Sequence, residues 1–323
     1  MALTLVDAAK LSNDVLQKGI IELIVRDDPI LERLGFINIL GNGLTYNVET
    51  TEATAQFYSV GDTWVESTPT TTQATATLKI LGGDADVDNY LKATRSDVND
   101  LKQEVIEAKV KAVKYEFMDS FYYGHTTLDA KGFNGLHKLI ESYTYNTHAL
   151  GTASTTEKLL LMTELEETID MLKVNTPELI MMTKLMRRSI NKYLRGVGGI
   201  TYEDAANRRV QTLFGIPVAV SEYIRNTENV LHDYSTLGGA DHWGYDNDVA
   251  TTDVATSIFI LSFGPKACQG LQESPITIVP VSDNMETKDA SRYRVKWYVS
   301  MMLQNILTCT KVTGVDPDGT VAA

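Results

Sequence analysis

Three aspartates alternate in Asp84-Ala85-Asp86-Val87-Asp88, the spacing with which an oxygen-donor calcium loop begins. Such a loop continues with glycine at its sixth position and a bidentate glutamate at its twelfth, where this chain has Asn89 and Arg95. Aspartates alternating along a strand instead read as a solvated face or as partners for basic residues. His232 and His242 stand among Asp233, Asp241, Asp246 and Asp248. These are donors suited to a divalent ion, but their spacing matches no short ligand motif and polar surface residues account for them. Glu166-Glu167, beside Glu164, would serve glycoside hydrolysis only if held across a cleft, and on a helix they read as a solvated face. The spacings of a nucleophile elbow, a zinc-protease helix, a phosphate-binding loop and a dinucleotide fold are absent; Gly41-Asn42-Gly43 is a lone glycine pair before a strand. No catalytic, cofactor-binding or metal-ligating residue is assigned, and the expectation is a protein that is not an enzyme.

The composition suits a folded soluble chain: 43% of its 323 residues are hydrophobic and 22% charged. That length allows two ordinary domains or one elongated body with extensions. A formal charge of −13 argues against a nucleic-acid reader, which needs a basic surface. Arg187-Arg188 and Arg208-Arg209 are basic pairs too isolated for such a footprint, but suited to meeting an acidic surface of a neighbouring copy. Cys268 and Cys309 form no paired motif, which suggests a reducing compartment. Asp7 and Lys10 interrupt what would be the apolar core of a signal peptide, and no apolar run reaches membrane-span length. A cytoplasmic origin with no membrane partner is expected.

The elements that would position any site are organised around Ser96 to Gly124, which reads as one uninterrupted helix. Ser96 serves as N-cap, Asp97 and Asp100 complement the macrodipole, and Gly124 supplies a left-handed stop. Two apolar stripes run along it, Val98-Leu101-Val105-Ala108-Ala112-Tyr115 and Ile106-Val110-Val113-Phe117-Phe121, so more than one neighbour must cover it. Before it, residues 41–95 alternate with the two-residue period of strands at Leu44, Tyr46, Val48 and again at Ala74, Ala76, Leu78, Ile80. The connection between them carries Phe57, Tyr58, Val60, Trp64 and Val65, and Glu49, Glu52, Asp62 and Glu66 stand in a span without Lys or Arg. A two-stranded ribbon is marginal alone, and aromatics at its tip are costly unless covered. The hairpin therefore reads as a partner-binding extension, against the alternative of a hairpin folded back on its own domain.

Residues 5–24 carry an amphipathic helical pattern, ended by Asp27-Asp28-Pro29 and read as an arm or as a helix on the chain's own core. Residues 155–173 predict a helix capped by Ser154, Thr155 or Thr156. ELIMM at 178–182, started by Pro177, the helix TKLMRRSINKYLRG, PVAV at 217–220 and TSIFILSF at 256–263 give an α/β order with a buried central sheet. A Gly- and Asp-rich loop interrupts it at 226–253. Near the end, Tyr293, Val295, Trp297 and Val299 alternate with Arg292, Arg294, Lys296 and Tyr298, a strand apolar on one side and basic on the other.

In order, these pieces resemble the major capsid proteins of tailed bacteriophages, the HK97-like fold. DDPILERLGFINI looks like the family's N-arm, and LTYNVET, FYSVGDTWVEST and ATATLKIL look like its extended E-loop. Ser96 to Tyr123 falls at the spine helix, and GFNGL is similar to the segment after it. TPELIMMTKLMRRSI and LFGIPVAVS resemble the axial domain, and RYRVKWYVSMML resembles the strand returning to the peripheral domain. The resemblance implies an α+β fold with an N-terminal arm at 1–40, the hairpin at 41–95, and the spine with part of the peripheral domain at 96–150. The axial domain would follow at 151–285 and the peripheral return at 286–323.

The same resemblance implies a structural shell protein without cofactor. Copies of the chain would form pentamers and hexamers of an icosahedral virion capsid around packaged double-stranded DNA, contacted without sequence specificity. Assembly would occur in the host cytoplasm. Partners would include a portal, possible cement proteins and a separate scaffolding protein, or the chain would be already processed, because it begins almost at the arm. The E-loop would lie across an adjacent subunit. Glu52, Phe57, Tyr58, Trp64, Glu66, Arg187 and Arg188 are the candidate intersubunit contacts. Lys79, on the hairpin, carries no assigned cross-linking role. The alternatives are an encapsulin shell of the same fold and a soluble hydrolase with unrecognised carboxylates near the 226–253 loop.

Overall fold

A computed structural model describes residues 29–95, 101–127, 129–141, 147–149, 159–174, 176–199, 201–205, 208–228, 255–282, 285 and 288–321. The amphipathic segment 5–24, the Ser96 cap, the Ser154–Thr156 cap, and His232 and His242 lie outside these residues.

The strands in chain order begin with β1 (Phe36–Asn38), β2 (Gly43–Thr51), β3 (Thr70–Thr77), β4 (Lys79–Asp88), β5 (Thr147–Ala149), β6 (Leu179–Met182) and β7 (Thr201–Ala205). They continue with β8 (Arg208–Leu213), β9 (Ile216–Val220), β10 (Thr256–Leu261), β11 (Cys268–Gln272), β12 (Thr277–Ser282), β13 (Ala290–Leu303) and β14 (Cys309–Val315). They form three sheets. The central strand of the first is β13, with β4 along one edge and β12 and β11 in succession along the other, and β1 joins β11 in parallel. The second has the order β5-β14-β10-β6-β9-β8-β7, and the third is the β2–β3 ribbon.

The spine is the helix Leu101–Tyr123, roughly 34 Å long at 1.5 Å per residue. Its first half lies on the first sheet, where Val105 and Ile106 pack against Ala85, Val87 and Tyr293. Its second half enters the main core through Val113, Phe117, Met118, Phe121 and Tyr122. Phe117 stacks obliquely on Trp297 of β13 at 4.8 Å, and Phe36 and Phe133 close around it at 5.9 and 5.7 Å. The period-two pattern of β13 explains this geometry: Tyr293, Val295, Trp297 and Val299 are buried under the spine. Of the other predicted stripe, Val105 packs on the sheet, while Ala108 and Ala112 are exposed among the described residues.

Gly124 ends the spine for a different reason than a left-handed backbone, because its φ is not positive. A Cβ there would stand 2.4 Å from the carbonyl oxygens of Phe133 and Ser120, and the Gly135 amide donates to the Gly124 carbonyl at 2.7 Å. The glycine lets the GFNGL segment cross the helix end in backbone contact. The helix expected over 155–173 is present as Met162–Asp170, and it begins where Glu164 accepts from the Leu161 amide at 3.1 Å. Sheet membership also cuts across the expected segments. β11 and β12, placed within 151–285, pair with β13, while β14, placed in the 286–323 return, enters the second sheet between β5 and β10. The Ile306–Thr308 turn carries the chain from one sheet to the other, with the Asn305 side chain accepting from the Leu307 amide at 3.0 Å.

Candidate assembly surfaces

Among the described residues, the β2–β3 ribbon packs on the body at its base. Leu44, Tyr46, Ala76 and Leu78 pack on Ile39, Leu271 and Met302, and the Tyr46 hydroxyl donates to the Leu303 carbonyl at 3.2 Å. Beyond that anchor, the ribbon runs on through Asn47–Thr51, roughly 17 Å at about 3.4 Å per residue, to the exposed connection at 52–69. The tip has its own local order. Gly61 takes a left-handed φ of 99°, Asp62 accepts from the Ser59 amide at 2.6 Å, and the Tyr58 and Trp64 rings stack at 4.3 Å. The Val65 amide donates to the Tyr58 hydroxyl at 3.0 Å, which fixes that stack across the loop. Phe57 is 107% and Trp64 79% exposed, with Val60 and Val65 beside them. Glu52 and Glu66 are exposed on the same loop; Glu52 also lines a groove of about 790 Å³ that runs under the ribbon to Lys266 and Gln304–Leu307.

The second exposed surface is the helix Lys184–Val197. Thr183 caps it, its side chain accepting from the Met186 amide at 3.2 Å, and Gly198 stops it at φ 77°. Met186, Ile190 and Leu194 are buried, which turns Arg187 and Arg188 outward. With Lys184, Asn191, Lys192 and Arg195 they line a groove of about 490 Å³. Lys184 pairs with Glu222. No ion pair joins the hairpin acids to Arg187 or Arg188 within one copy, among the described residues.

The aspartate run has neighbours that settle its role. In the β4–β13 register Asp86 opposes Arg292 and Asp84 opposes Arg294. Arg294 holds Asp84 at 2.7 and 2.8 Å, and Arg292 holds Asp86 at 2.6 and 2.7 Å. These hydrogen bonds keep both carboxyls below the usual carboxylate range. The residues are structural cross-strand pairs.

A buried polar cluster that sequence patterning does not reveal ties the second sheet to the spine. The Tyr123 hydroxyl donates to Glu228 Oε1 at 2.6 Å, and Ser257 donates to Oε2. His137 stacks on Tyr123 at 5.1 Å with its Nε2 3.6 Å from Glu228, while the Lys311 ammonium lies 3.5 Å from its Nδ1. Burial, then Lys311, pushes His137 well below its ordinary pKa. Two hydroxyls donate to the Glu228 carboxylate, and a neutral imidazole suits the place between it and the ammonium. The site is closed to solvent: His137, Glu228 and Ser257 are fully buried and Lys311 is 1% exposed.

Among known proteins, residues 10–236 match the Phage capsid family, well over half of the chain. The chain belongs to that family. No curated protein matches it. Solved structures share the fold of this capsid protein. An encapsulin complex from Synechococcus elongatus PCC 7942 superimposes with a TM-score of 0.66 at 14% identity, covering 99% of this chain and 98% of that one. The capsid of a native GTA particle gives 0.60 at 12% identity over 94% and 95%. The structure of Mycobacterium phage Bobi gives 0.60 at 10% identity over 96% and 98%. The fold is HK97-like, and family and fold together point to a structural rather than an enzymatic protein.

For this capsid protein, the sequence-predicted contact residues fall into two separate groups. Glu52, Phe57, Tyr58, Trp64 and Glu66 share the ribbon's far end, and Arg187 and Arg188 share one helix face. Lys192 and Arg195 belong with the latter and were missed, although their helical spacing from Arg188 carries the signal.

Proposed function

We propose that the chain is the building block of an icosahedral virion shell, assembling through pentamers and hexamers of itself around packaged double-stranded DNA. The observation that carries this reading is the ribbon whose far end exposes Phe57, Val60, Trp64 and Val65 to water. A monomer would hide such a cluster, whereas a shell subunit covers it on the next copy. Phe57 and the Tyr58–Trp64 stack act as the apolar anchor of that contact, with Glu52 and Glu66 as its charged rim. The shell needs no cofactor. A separate scaffolding protein and a portal complete it, a cement protein is compatible with it, and assembly proceeds in the host cytoplasm. DNA meets the inner wall without sequence readout.

The likeness to an encapsulin supports a second reading, a protein compartment of the same fold that holds an enzyme rather than a genome. Particles purified from their native source after nuclease treatment separate the two. The virion reading requires protected duplex DNA inside them; DNA-free particles containing a stoichiometric cargo protein would establish the compartment instead.

A further inference from the structure

We infer that the basic outer face of helix Lys184–Val197 is the seat for the acidic hairpin of a second copy, a step that rests on the self-assembly reading above. Arg187, Arg188, Lys192 and Arg195 are all exposed, and none has a carboxylate partner among the described residues. Three arginines elsewhere behave differently: Arg225, Arg292 and Arg294 each hold an aspartate, and Arg33 reaches the Glu178 carbonyl. At about 100° per residue the four cations fall within an arc of roughly 140°. The buried face of the same helix fixes that arc toward solvent. A concentrated and uncompensated basic stripe on a chain of net charge −13 is an unsatisfied surface.

Its complement lies on the same chain. Glu49, Glu52, Asp62 and Glu66 fall in a span from Leu34 to Leu78 that holds no Lys or Arg, and all four are exposed. None makes an ion pair among the described residues. Four carboxylates thus face four cations in number, and guanidinium forks suit carboxylates in geometry. Donor and acceptor surfaces are different patches, so each copy gives its hairpin to one neighbour and receives another, the heterologous contact from which closed rings are built. Nucleic acid is the other polyanion to weigh. The strongly acidic remainder of the chain repels phosphate, whereas it leaves a local acid–base match between copies intact.

The test reverses charge on each surface separately and then on both. One variant carries Glu49→Lys, Glu52→Lys and Glu66→Lys; another carries Arg187→Glu, Arg188→Glu, Lys192→Glu and Arg195→Glu; a third combines them. Circular dichroism of soluble subunits first establishes that each is folded. Each single-surface variant should lose particle yield by about tenfold or more, and the combined variant should recover most of it. Absence of rescue, or normal particles from the helix variant, overturns the seat while leaving shell formation standing. Normal particle yield with lost binding of a short DNA duplex by the helix variant assigns the face to nucleic acid and overturns it also. Failure of the unaltered protein to form particles would overturn the self-assembly reading itself.

Discussion

Arg292 on β13 grips Asp86 on β4 with two parallel hydrogen bonds, 2.6 Å from Nε and 2.7 Å from Nη2, at directly opposed positions of antiparallel strands. The next pair along, Arg294 with Asp84, repeats the arrangement. What the sequence presents as an aspartate run and, two hundred residues later, an arginine run is one ladder that fixes strand register.

The ladder predicts that calcium leaves the melting temperature unchanged, because Asp84 and Asp86 are already engaged. Asp86→Asn should destabilise the subunit by about 1 kcal/mol, with part of that appearing as coupling to Arg292 in a double-mutant cycle. Both aspartates titrate below the ordinary value in the folded state. Their contribution is therefore fully present above the unfolded pKa and is lost as pH falls through the folded one. Urea titrations at descending pH read it directly.

The buried cluster around Glu228 predicts a different pH dependence. The His137 pKa is depressed in the folded chain, so the unfolded state binds more protons once pH drops below about 6.5. Stability should be complete above that value and decline as pH falls toward the folded pKa. His137→Gln should be less stable at pH 7 yet show a flatter slope between pH 7 and 5. Tyr123→Phe removes the donor to a buried carboxylate and should cost about 1–3 kcal/mol at neutral pH.

Close backbone packing at the spine's end predicts intolerance of a single methyl group. In Gly135, an added Cβ would meet the Ser120 carbonyl oxygen at 2.6 Å and the Gly124 nitrogen at 2.7 Å. Gly135→Ala should lower subunit stability by several kcal/mol, about the ~3 kcal/mol scale of severe backbone strain. Gly61→Ala at the tip, with open space around it, should cost only about 1 kcal/mol and act locally.

At the tip, Trp64→Ala and Phe57→Ala should leave the subunit's unfolding midpoint within about 0.5 kcal/mol of the parent, since neither ring is buried. Each should nevertheless raise the protein concentration needed for assembly, measured by light scattering, by about tenfold or more.

Much of this was readable without coordinates where one periodicity dominates. The alternation of Tyr293 through Val299 gave the buried face of β13, and the alternation of Leu44, Tyr46 and Val48 gave the ribbon. What escaped depends on contacts between distant segments. The carriage of β14 into the second sheet depends on the Asn305 turn and on pairing with β10, neither of which leaves a pattern in CTKVTGV. Glu228 reads as one more acid of a polar loop, yet it is the fully buried acceptor for Tyr123 and Ser257. Gly124 has the composition of a left-handed cap, and only the crossing of Phe133 and Gly135 shows it to be a point of close approach.

The central claim is that copies of this chain close into a shell. Sedimentation velocity of the purified protein, with electron microscopy of the fastest fraction, tests it most directly. The account predicts large, closed, uniform particles in which the 52–69 loop resists protease, while unassembled subunits are cut there. A compact monomer under all assembly conditions, with that loop already protected, would contradict it.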